Sequence, residues 1–330
     1  MEEWDVVIVG AGPAGLSAAI FTQLDGWSTL VLEGRWVGGQ GAIAWTVSNY
    51  PGFPPGDGAM LMGNLERQVT SAPPAGVGAK LRMESVLSIN PEERAVISDK
   101  NQYKAKAIIL ATGGTMQRLG IPGEDRFVNR GVSYCAKQDY EKFAGKKVLV
   151  VGGGNTTAKS ALVAKGVSGD VTVVHRRAPL RAYPSMVKRL QKEGVKIWYD
   201  AEVKEIRGDD MVRSAVVTNN KTREEAEVPV DWVVVCVGTE PNTALARAAG
   251  LEMAGDLVKI DRRMMTSKPP VFACGEITGC DKHIVPVASE GATAGMAASQ
   301  YLALEKVKRG ETFDTAVCGK YADEYKAMLC

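Results

Sequence analysis

The segment VVIVGAGPAGLSAAI, residues 6–20, combines an apolar strand, three spaced glycines and the start of a helix. Gly10 permits a tight turn, Gly12 lets the backbone approach a pyrophosphate, and Gly15 lets the helix pack closely on the strand. The next apolar segment, STLVLE, ends at Glu33, where a carboxylate accepts hydrogen bonds from ribose hydroxyls. This order of elements predicts a dinucleotide-binding unit near the start of the chain rather than a glycine-rich turn without a ligand.

The same order of elements recurs in KKVLVVGGGNTTAKSALVAKGVSGDVTVVHRR, residues 146–177, with Thr157 in the third, packing position. A basic cluster stands where the first copy has an acid, and arginine can grip a 2′-phosphate bidentately. The pattern therefore predicts NADPH rather than NADH; a solvated basic turn is the alternative. The residues assigned to this site are Gly152, Gly154, Asn155, Thr156, His175, Arg176, Arg177 and Arg181.

The composition is typical of a soluble globular protein, with 45% hydrophobic and 24% charged residues over 330 positions. A net charge of +2 predicts neither nucleic acid nor membrane as a partner. The N-terminus lacks the basic and small-residue features of a signal peptide, and the six cysteines are scattered, so we expect a reducing cytoplasm. With two histidines, a histidine-based metal site or hydrolase triad has little support, and no metal is predicted.

Two nucleotide sites of opposite charge indicate two cofactors, FAD and NADPH, and hence hydride transfer from a nicotinamide to a flavin. Apolar strands at 106–114 and 231–243 end in glycine turns and flank the second unit. We therefore predict an α/β fold of two Rossmann-like, three-layer nucleotide-binding domains. The FAD-binding domain is discontinuous, residues 1–116 and 245–330, with the NADPH-binding domain, residues 117–244, inserted. The two linkers make a natural hinge.

Further motifs extend this pattern along nearly the whole chain: GGQ (38–40), SNYPGFP (48–54), ATGG (111–114), LGIPGE (119–124), GVSYCA (131–136), VGTEPNT (237–243) and FACGEITG (272–279). With them, the chain resembles the low-molecular-weight thioredoxin reductases. The resemblance implies a homodimer and a rotation that presents either nicotinamide or protein thiol to the flavin. It implies cofactor contacts at Gly39, Gln40, Asn49, Thr112, Gly113, Gly275 and Glu276. His283 is a further candidate, either as a hydrogen-bond donor to the flavin or as a loop histidine without a cofactor role. Glu276 stands where that family usually has Asp.

The chain departs from that family where the redox-active cysteines lie. The family reads Cys-Ala-Thr-Cys-Asp, whereas this chain reads CAKQD from Cys135 to Asp139, so Gln138 replaces the flavin-proximal thiol. An amide can hydrogen-bond to a flavin but cannot accept electrons. Cys135, Gln138 and Asp139 remain the candidate catalytic residues. We expect Cys135 to start a helix, and both the helix N-terminus and Lys137 should favour its thiolate form. The alternative is that Cys135 is an unreactive remnant of the family's cysteine pair.

The other cysteines have less defined roles. Cys236 and Cys274 lie at the ends of apolar strands and are predicted to be packed in the core, and Cys280 lies in a loop. Cys318 and Cys330 bracket a predicted short helix whose ends lie about 18 Å apart. Because disulfide Cα atoms must come within about 7 Å, these two should not pair while that helix is intact.

Four functions fit these observations, in decreasing order of preference. The first is an NADPH-dependent FAD oxidoreductase that passes electrons to a thioredoxin-like or ferredoxin-like protein, or to a small acceptor, without an internal CxxC dithiol. The second is a disulfide reductase that uses Cys135 with a non-adjacent thiol. The third is an NADPH oxidase, and the fourth is a non-catalytic flavin-binding protein.

Overall fold

The computed structural model describes residues 1–71 and 78–310. Over these ranges no helix is both long enough and apolar enough to cross a membrane. The regular elements, in chain order, are β1 (Glu2–Val9), α1 (Pro13–Leu24), β2 (Thr29–Glu33), α2 (Gly39–Ala42), α3 (Gly58–Thr70), β3 (Lys80–Met83), β4 (Val86–Asn90), β5 (Ala95–Ser98), β6 (Gln102–Leu110), β7 (Gly114–Met116), β8 (Val132–Ser133), β9 (Lys147–Gly152), α4 (Asn155–Lys165), β10 (Asp170–His175), α5 (Pro184–Lys192), β11 (Lys196–Tyr199), β12 (Ala201–Gly208), β13 (Val212–Asn219), β14 (Glu225–Pro229), β15 (Trp232–Cys236), β16 (Thr239–Pro241), α6 (Ala244–Ala248), β17 (Met253–Ala254), β18 (Leu257–Val258), β19 (Val271–Ala273) and α7 (Ile284–Lys308).

The chain forms two compact units. The first comprises Met1–Gly114 and the chain from Pro241 onward, and the second comprises Thr115–Glu240. The sequence placed the corresponding borders after residue 116 and before residue 245. The short strands β7 and β16 lie at the two crossings between the units and pair with each other.

The first unit is built on a sheet of order β3-β2-β1-β6-β5-β4, with β19 also paired to β6. Strands β3, β2, β1, β6 and β19 are parallel, and β5 and β4 continue the sheet antiparallel. Val9 is in register with Leu32 on one side and with Leu110 on the other. The turns that follow β1, β2, β6 and β19 therefore meet at one edge of the sheet, where nucleotides bind in open α/β sheets.

Both faces of this sheet are buried, which explains the continuous apolar run of β1. Side chains alternate between the two faces of a strand. On one face, Val6 and Ile8 pack with residues of α1, α3 and α7. On the opposite face, Val7 and Val9 pack with residues of α6. The sheet therefore lies between two apolar layers, as the sequence predicted.

Small residues bring α7 against α1. A Cβ on Gly291 would lie 2.0 Å from the Ala14 carbonyl oxygen, and one on Gly295 would lie 2.6 Å from that of Ala18. The two helices therefore touch through backbone atoms. This contact lies within the N-terminal half of α7, whose 25 residues run from Ile284 to Lys308.

The second unit has its own parallel sheet, of order β11-β10-β9-β15-β8, and a separate antiparallel sheet, β12-β13-β14. Val148 and Val150 face α4 and α5, whereas Leu149 and Val151 face the antiparallel sheet. This unit thus has three layers: helices, parallel sheet and antiparallel sheet. Both units have the α/β organisation that the sequence predicted.

Candidate functional site

The turn after β1 has the geometry that a pyrophosphate requires. Gly10 has a φ of +106°, and a Cβ there would lie 2.3 Å from the Ala111 carbonyl oxygen, so only glycine fits. Gly15 is equally constrained, since its Cβ would lie 1.8 Å from the Gly10 carbonyl oxygen. A Cβ on Gly12 would meet no atom within 4 Å, so the backbone of this residue is open to a ligand. The turn therefore fits a dinucleotide at the N-terminus of α1.

Glu33, at the end of β2, is oriented across this turn. Its Oε2 accepts from the Ala11 amide at 2.8 Å, and its Oε1 accepts from the Arg35 amide at 2.8 Å. Each carboxylate oxygen has a second lone pair and can accept a further hydrogen bond. Glu33 is thus held in place by the backbone and can accept from a ribose hydroxyl.

Gln40 and Glu276, which were predicted from separate motifs, meet at the same edge of the first sheet. Gln40 Nε2 donates to the Gly114 carbonyl oxygen at 2.9 Å and to Glu276 Oε2 at 3.0 Å. Lys282 Nζ lies 2.8 Å from Glu276 Oε1, whose side chain is only 10% exposed. Gly114 is needed here because a Cβ would lie 2.5 Å from the Glu276 Cδ. Glu276, which is one methylene longer than the family's usual Asp, is therefore accommodated between the Gln40 amide, the Lys282 ammonium and Gly114.

Sequence reasoning missed Glu290, which holds the loop that carries Glu276. Glu290 Oε2 accepts from the Gly275 amide at 2.8 Å and from Thr278 Oγ1 at 2.6 Å. Gly275 has a φ of +81°, a conformation that favours glycine. No local sequence signal marks Glu290 for this role, because the amide that it binds lies 15 positions earlier. Sequence reasoning also missed Lys282, the partner of Glu276.

The remaining predicted residues of the first unit surround the same edge. Thr112 Oγ1 donates to the Asn242 carbonyl oxygen at 2.7 Å, and Gly113 has a φ of +63°. The Gly39 carbonyl oxygen accepts from Trp36 Nε1 at 3.0 Å. Asn49 is exposed, and His283 Nδ1 pairs with Asp281 at the start of α7. The contacts of these residues with a flavin stay predictions.

The turn after β9 repeats the first geometry with one change. Gly152 has a φ of +144°, and Gly154 is as open as Gly12. Thr157 is fully buried in the packing position, and its Oγ1 donates to the Cys236 carbonyl oxygen at 3.3 Å. This is the carbonyl oxygen that a Cβ on Gly152 would approach to 2.2 Å. Asn155 Oδ1 accepts from the Tyr183 amide at 2.8 Å, and Thr156 is exposed.

The basic cluster lies beside this turn. The Arg181 amide donates to the Gly153 carbonyl oxygen at 2.7 Å, which ties the arginine loop to the glycines. The side chains of Arg176, Arg177 and Arg181 are exposed, and within residues 1–71 and 78–310 they form no ion pair. Burial, followed by the charges of the three arginines, lowers the pKa of His175. His175 is therefore neutral at pH 7, and the arginines are the cations available to a 2′-phosphate.

The segment after β8 is not the predicted helix. Residues 136–139 form a turn, followed by a 3₁₀ helix over Tyr140–Phe143. Ser133 Oγ donates to Asp139 Oδ2 at 2.6 Å and accepts from the Cys135 amide at 3.2 Å. These bonds tie the chain back on itself and replace helical hydrogen bonding, so the predicted helix N-terminus beside Cys135 is wrong. Gln138 is exposed, whereas Asp139 is buried.

The four cysteines that the structure describes are free thiols. Cys274 is fully buried, as predicted, but Cys236 is half-buried, so its assignment to the core is only partly right. Burial raises the pKa of Cys236 to about 11, and burial together with Glu290 raises the pKa of Cys280 to about 12. The predictions for Cys318 and Cys330 lie outside the described residues. Within the described residues, no cluster of three or more metal-ligating side chains is found.

The chain is similar to known proteins over most of its length. Residues 4–301 match the family described as pyridine nucleotide-disulphide oxidoreductase. The chain is 36% identical over 311 residues to a thioredoxin reductase of Peptoclostridium litorale, covering 91% of this chain and 97% of that protein. It is 35% identical over 305 residues to a ferredoxin–NADP reductase of Ignicoccus hospitalis, covering 90% and 98%. The crystal structure of a thioredoxin reductase of Lactococcus lactis aligns with a TM-score of 0.85 at 32% identity, covering 91% of this chain and 99% of that chain.

Proposed function

Because the chain belongs to the pyridine nucleotide-disulphide oxidoreductases, within the low-molecular-weight thioredoxin reductase family, and is therefore an NADPH-dependent FAD oxidoreductase, we propose which residues hold each cofactor. The turn of Gly10 and Gly12, with Glu33, holds FAD in the first unit. The turn of Gly152 and Gly154, with the arginine cluster, holds NADPH in the second. The family, the α/β fold and this class of enzyme, all predicted from the sequence, are confirmed.

The observation that carries this assignment is the opposite charge beside two similar turns. A carboxylate held by two backbone amides lies beside the first turn, and three exposed arginines lie beside the second. A carboxylate repels a 2′-phosphate and accepts from ribose hydroxyls, whereas arginine binds a phosphate bidentately. The two turns therefore select different nucleotides.

The flavin, when bound, supplies the capacity to take a hydride from reduced nicotinamide and to pass electrons onward. The protein supplies orientation and charge. Gln40, Glu276 and Lys282 form a connected polar set at the first edge, so a bound cofactor meets donors and acceptors that are already positioned. Lys282 balances the buried carboxylate of Glu276, which would otherwise be costly to desolvate.

For the electron acceptor, we propose a small redox protein of the thioredoxin-like or ferredoxin-like kind. Two relatives over almost the whole chain are a thioredoxin reductase and a ferredoxin–NADP reductase, so this scaffold serves both kinds of partner. The replacement of the flavin-proximal thiol by Gln138 removes the direct route to an adjacent dithiol. From the family resemblance we further propose a cytoplasmic homodimer whose two units rotate relative to each other; multi-angle light scattering tests the dimer.

Anaerobic titration of the purified protein with NADPH, followed by flavin absorbance, tests the proposed function. Stoichiometric bleaching by NADPH, weaker bleaching by NADH, and onward electron transfer to added thioredoxin or ferredoxin are the expected results. A flavin that NADPH does not bleach would contradict the proposal and favour a non-catalytic flavin-binding protein. Fast aerobic turnover with no added acceptor, unchanged by thioredoxin or ferredoxin, would favour an NADPH oxidase.

A further inference from the structure

Two cysteines lie at the ends of neighbouring parallel strands in the second unit. In the pairing of β8 with β15, Val132 is in register with Val233, and Ser133 is in register with Val234. Cys135 follows Ser133 by two residues, and Cys236 follows Val234 by two residues, so each cysteine lies the same number of positions beyond the paired part of β8 and β15. Neighbouring strands lie about 4.8 Å apart. Disulfides require Cα separations of roughly 4.4–6.8 Å, a range that includes the spacing of neighbouring strands.

The turn after β8 keeps Cys135 beside the strand end. The Cys135 amide donates to Ser133 Oγ, and the Cys135 carbonyl accepts from the Gln138 amide at 3.1 Å. Ser133 is itself fixed by the buried carboxylate of Asp139. Ala136, the next residue, is buried in the same apolar cluster against which Cys236 packs. The chain therefore cannot carry Cys135 away from β15 without breaking these contacts.

Cys236 is equally well positioned. Its Sγ lies 3.4 Å from Ser160 Oγ on α4, and its carbonyl oxygen accepts from Thr157. Burial is the main cause that raises the pKa of Cys236, and the negative charge of a Cys135 thiolate acts in the same direction. Cys135 is half-buried, and Cys236 packs against the apolar cluster that contains Ala136.

We propose that Cys135 and Cys236 form a reversible disulfide within the second unit, a non-adjacent dithiol whose substrates are disulfides. This inference rests on the proposed function, since NADPH supplies the electrons for each cycle. Cys135 and Asp139 then have separate roles: Cys135 reacts with the substrate, and Asp139 is a positioning residue that acts through Ser133.

The reaction balances as thiol–disulfide exchange. The Cys135 thiolate attacks one sulfur of a substrate disulfide, a mixed disulfide forms, and one thiolate leaves. Cys236 then loses its proton to solvent and attacks Cys135 Sγ, which releases the second substrate thiolate. One substrate disulfide has become two thiols, and two protein thiols have become one disulfide. NADPH and a proton reduce that disulfide back to two thiols and leave NADP⁺. The raised pKa of Cys236 predicts that the second attack is the slower one.

The test uses the full chain with FAD bound. The protein is reduced, desalted, treated with oxidised glutathione, blocked with N-ethylmaleimide and digested with trypsin without reductant. Mass spectrometry should detect, as the main product, residues 131–137 joined to residues 224–247 through Cys135 and Cys236. Cys236→Ser should instead accumulate glutathione on Cys135, whereas the control Cys280→Ser should keep the cross-link. Cys236→Ala repeats the test if the serine variant loses FAD.

Cys135 bonded to glutathione in the parent protein, with Cys236 still free, would overturn the inference, and so would Cys135 bonded to another cysteine. Flavin bleaching by NADPH is measured on the same samples. Normal bleaching without the cross-link rejects only the disulfide, whereas absent bleaching rejects the proposed function itself. The two failures are therefore distinguishable.

Discussion

Replacing Arg176 with alanine should reduce the preference for NADPH over NADH and leave the fold intact. The Arg176 side chain is exposed, and its backbone carbonyl, which accepts from Asn220 Nδ2 at 3.2 Å, is retained in the variant. The arginine loop remains tied to the glycine turn through backbone atoms of Arg181 and Gly153. The substitution therefore removes a charge from the nucleotide site without removing a described structural contact of that side chain.

The size of the effect follows from the charge. A hydrogen bond to a charged group contributes roughly 1.5–3 kcal/mol, which corresponds to about tenfold to somewhat over a hundredfold in affinity. NADPH should bind more weakly by that factor, while NADH, which lacks the 2′-phosphate, should be unaffected. Since neighbouring charges act on one phosphate, the double variant of Arg176 and Arg177 should lose less than the sum of the single losses.

Stopped-flow measurement of flavin bleaching under anaerobic conditions, with NADPH and NADH at several concentrations, provides the assay. Arg189→Ala is the matched control, because Arg189 is also an exposed arginine of the second unit, on α5, and its ion pair with Glu193 is long, at 3.9 Å. The control should keep the parent preference. Equal efficiency of the two nucleotides in the parent protein would refute the reasoning, as would an Arg176→Ala variant that loses both nucleotides equally.

Three further outcomes are expected. Gly291→Ala should destabilise the protein by about 1–3 kcal/mol in thermal unfolding, because its Cβ meets backbone of α1; Gly63→Ala, in open space on α3, should be neutral or stabilising, and equal effects would contradict the packing argument. Burial, aided by the arginines, holds the pKa of folded His175 below its unfolded value of about 6.5. The contribution of neutral His175 to the free energy of unfolding should be complete above that pH and lost as the pH falls through the folded pKa. Denaturation measured at several pH values should show this loss in the parent protein and not in His175→Gln. Cys135→Ser should leave flavin bleaching by NADPH within a few-fold of the parent, since hydride transfer needs no thiol, and Gln138→Cys should create an adjacent pair detectable by thiol counting; a large loss of bleaching in the first variant would be evidence against this order of events.

The two nucleotide turns were predictable from the sequence because their requirements are local. A glycine with positive φ, an open glycine and a close-packed glycine follow one another within six residues in residues 10–15, and the structure shows all three conditions there. The charged residues at the ends of β2 and β10 were also predictable, because β2 pairs parallel with β1 and β10 pairs parallel with β9. The carboxyl ends of parallel strands lie at the same edge of a sheet as the glycine turn.

Other features depend on residues far apart in the sequence, and only the tertiary structure decided them. Gln40 and Glu276 are separated by 236 positions, yet the parallel pairing of β1, β6 and β19 brings their loops to one edge. The predicted helix at Cys135 failed because Asp139 and Ser133 satisfy the turn with side-chain hydrogen bonds instead. The segments that carry Cys135 and Cys236 come together only through the pairing of β8 with β15. Register is set by how a whole sheet packs, and that information is spread over the chain rather than carried by either cysteine's neighbours.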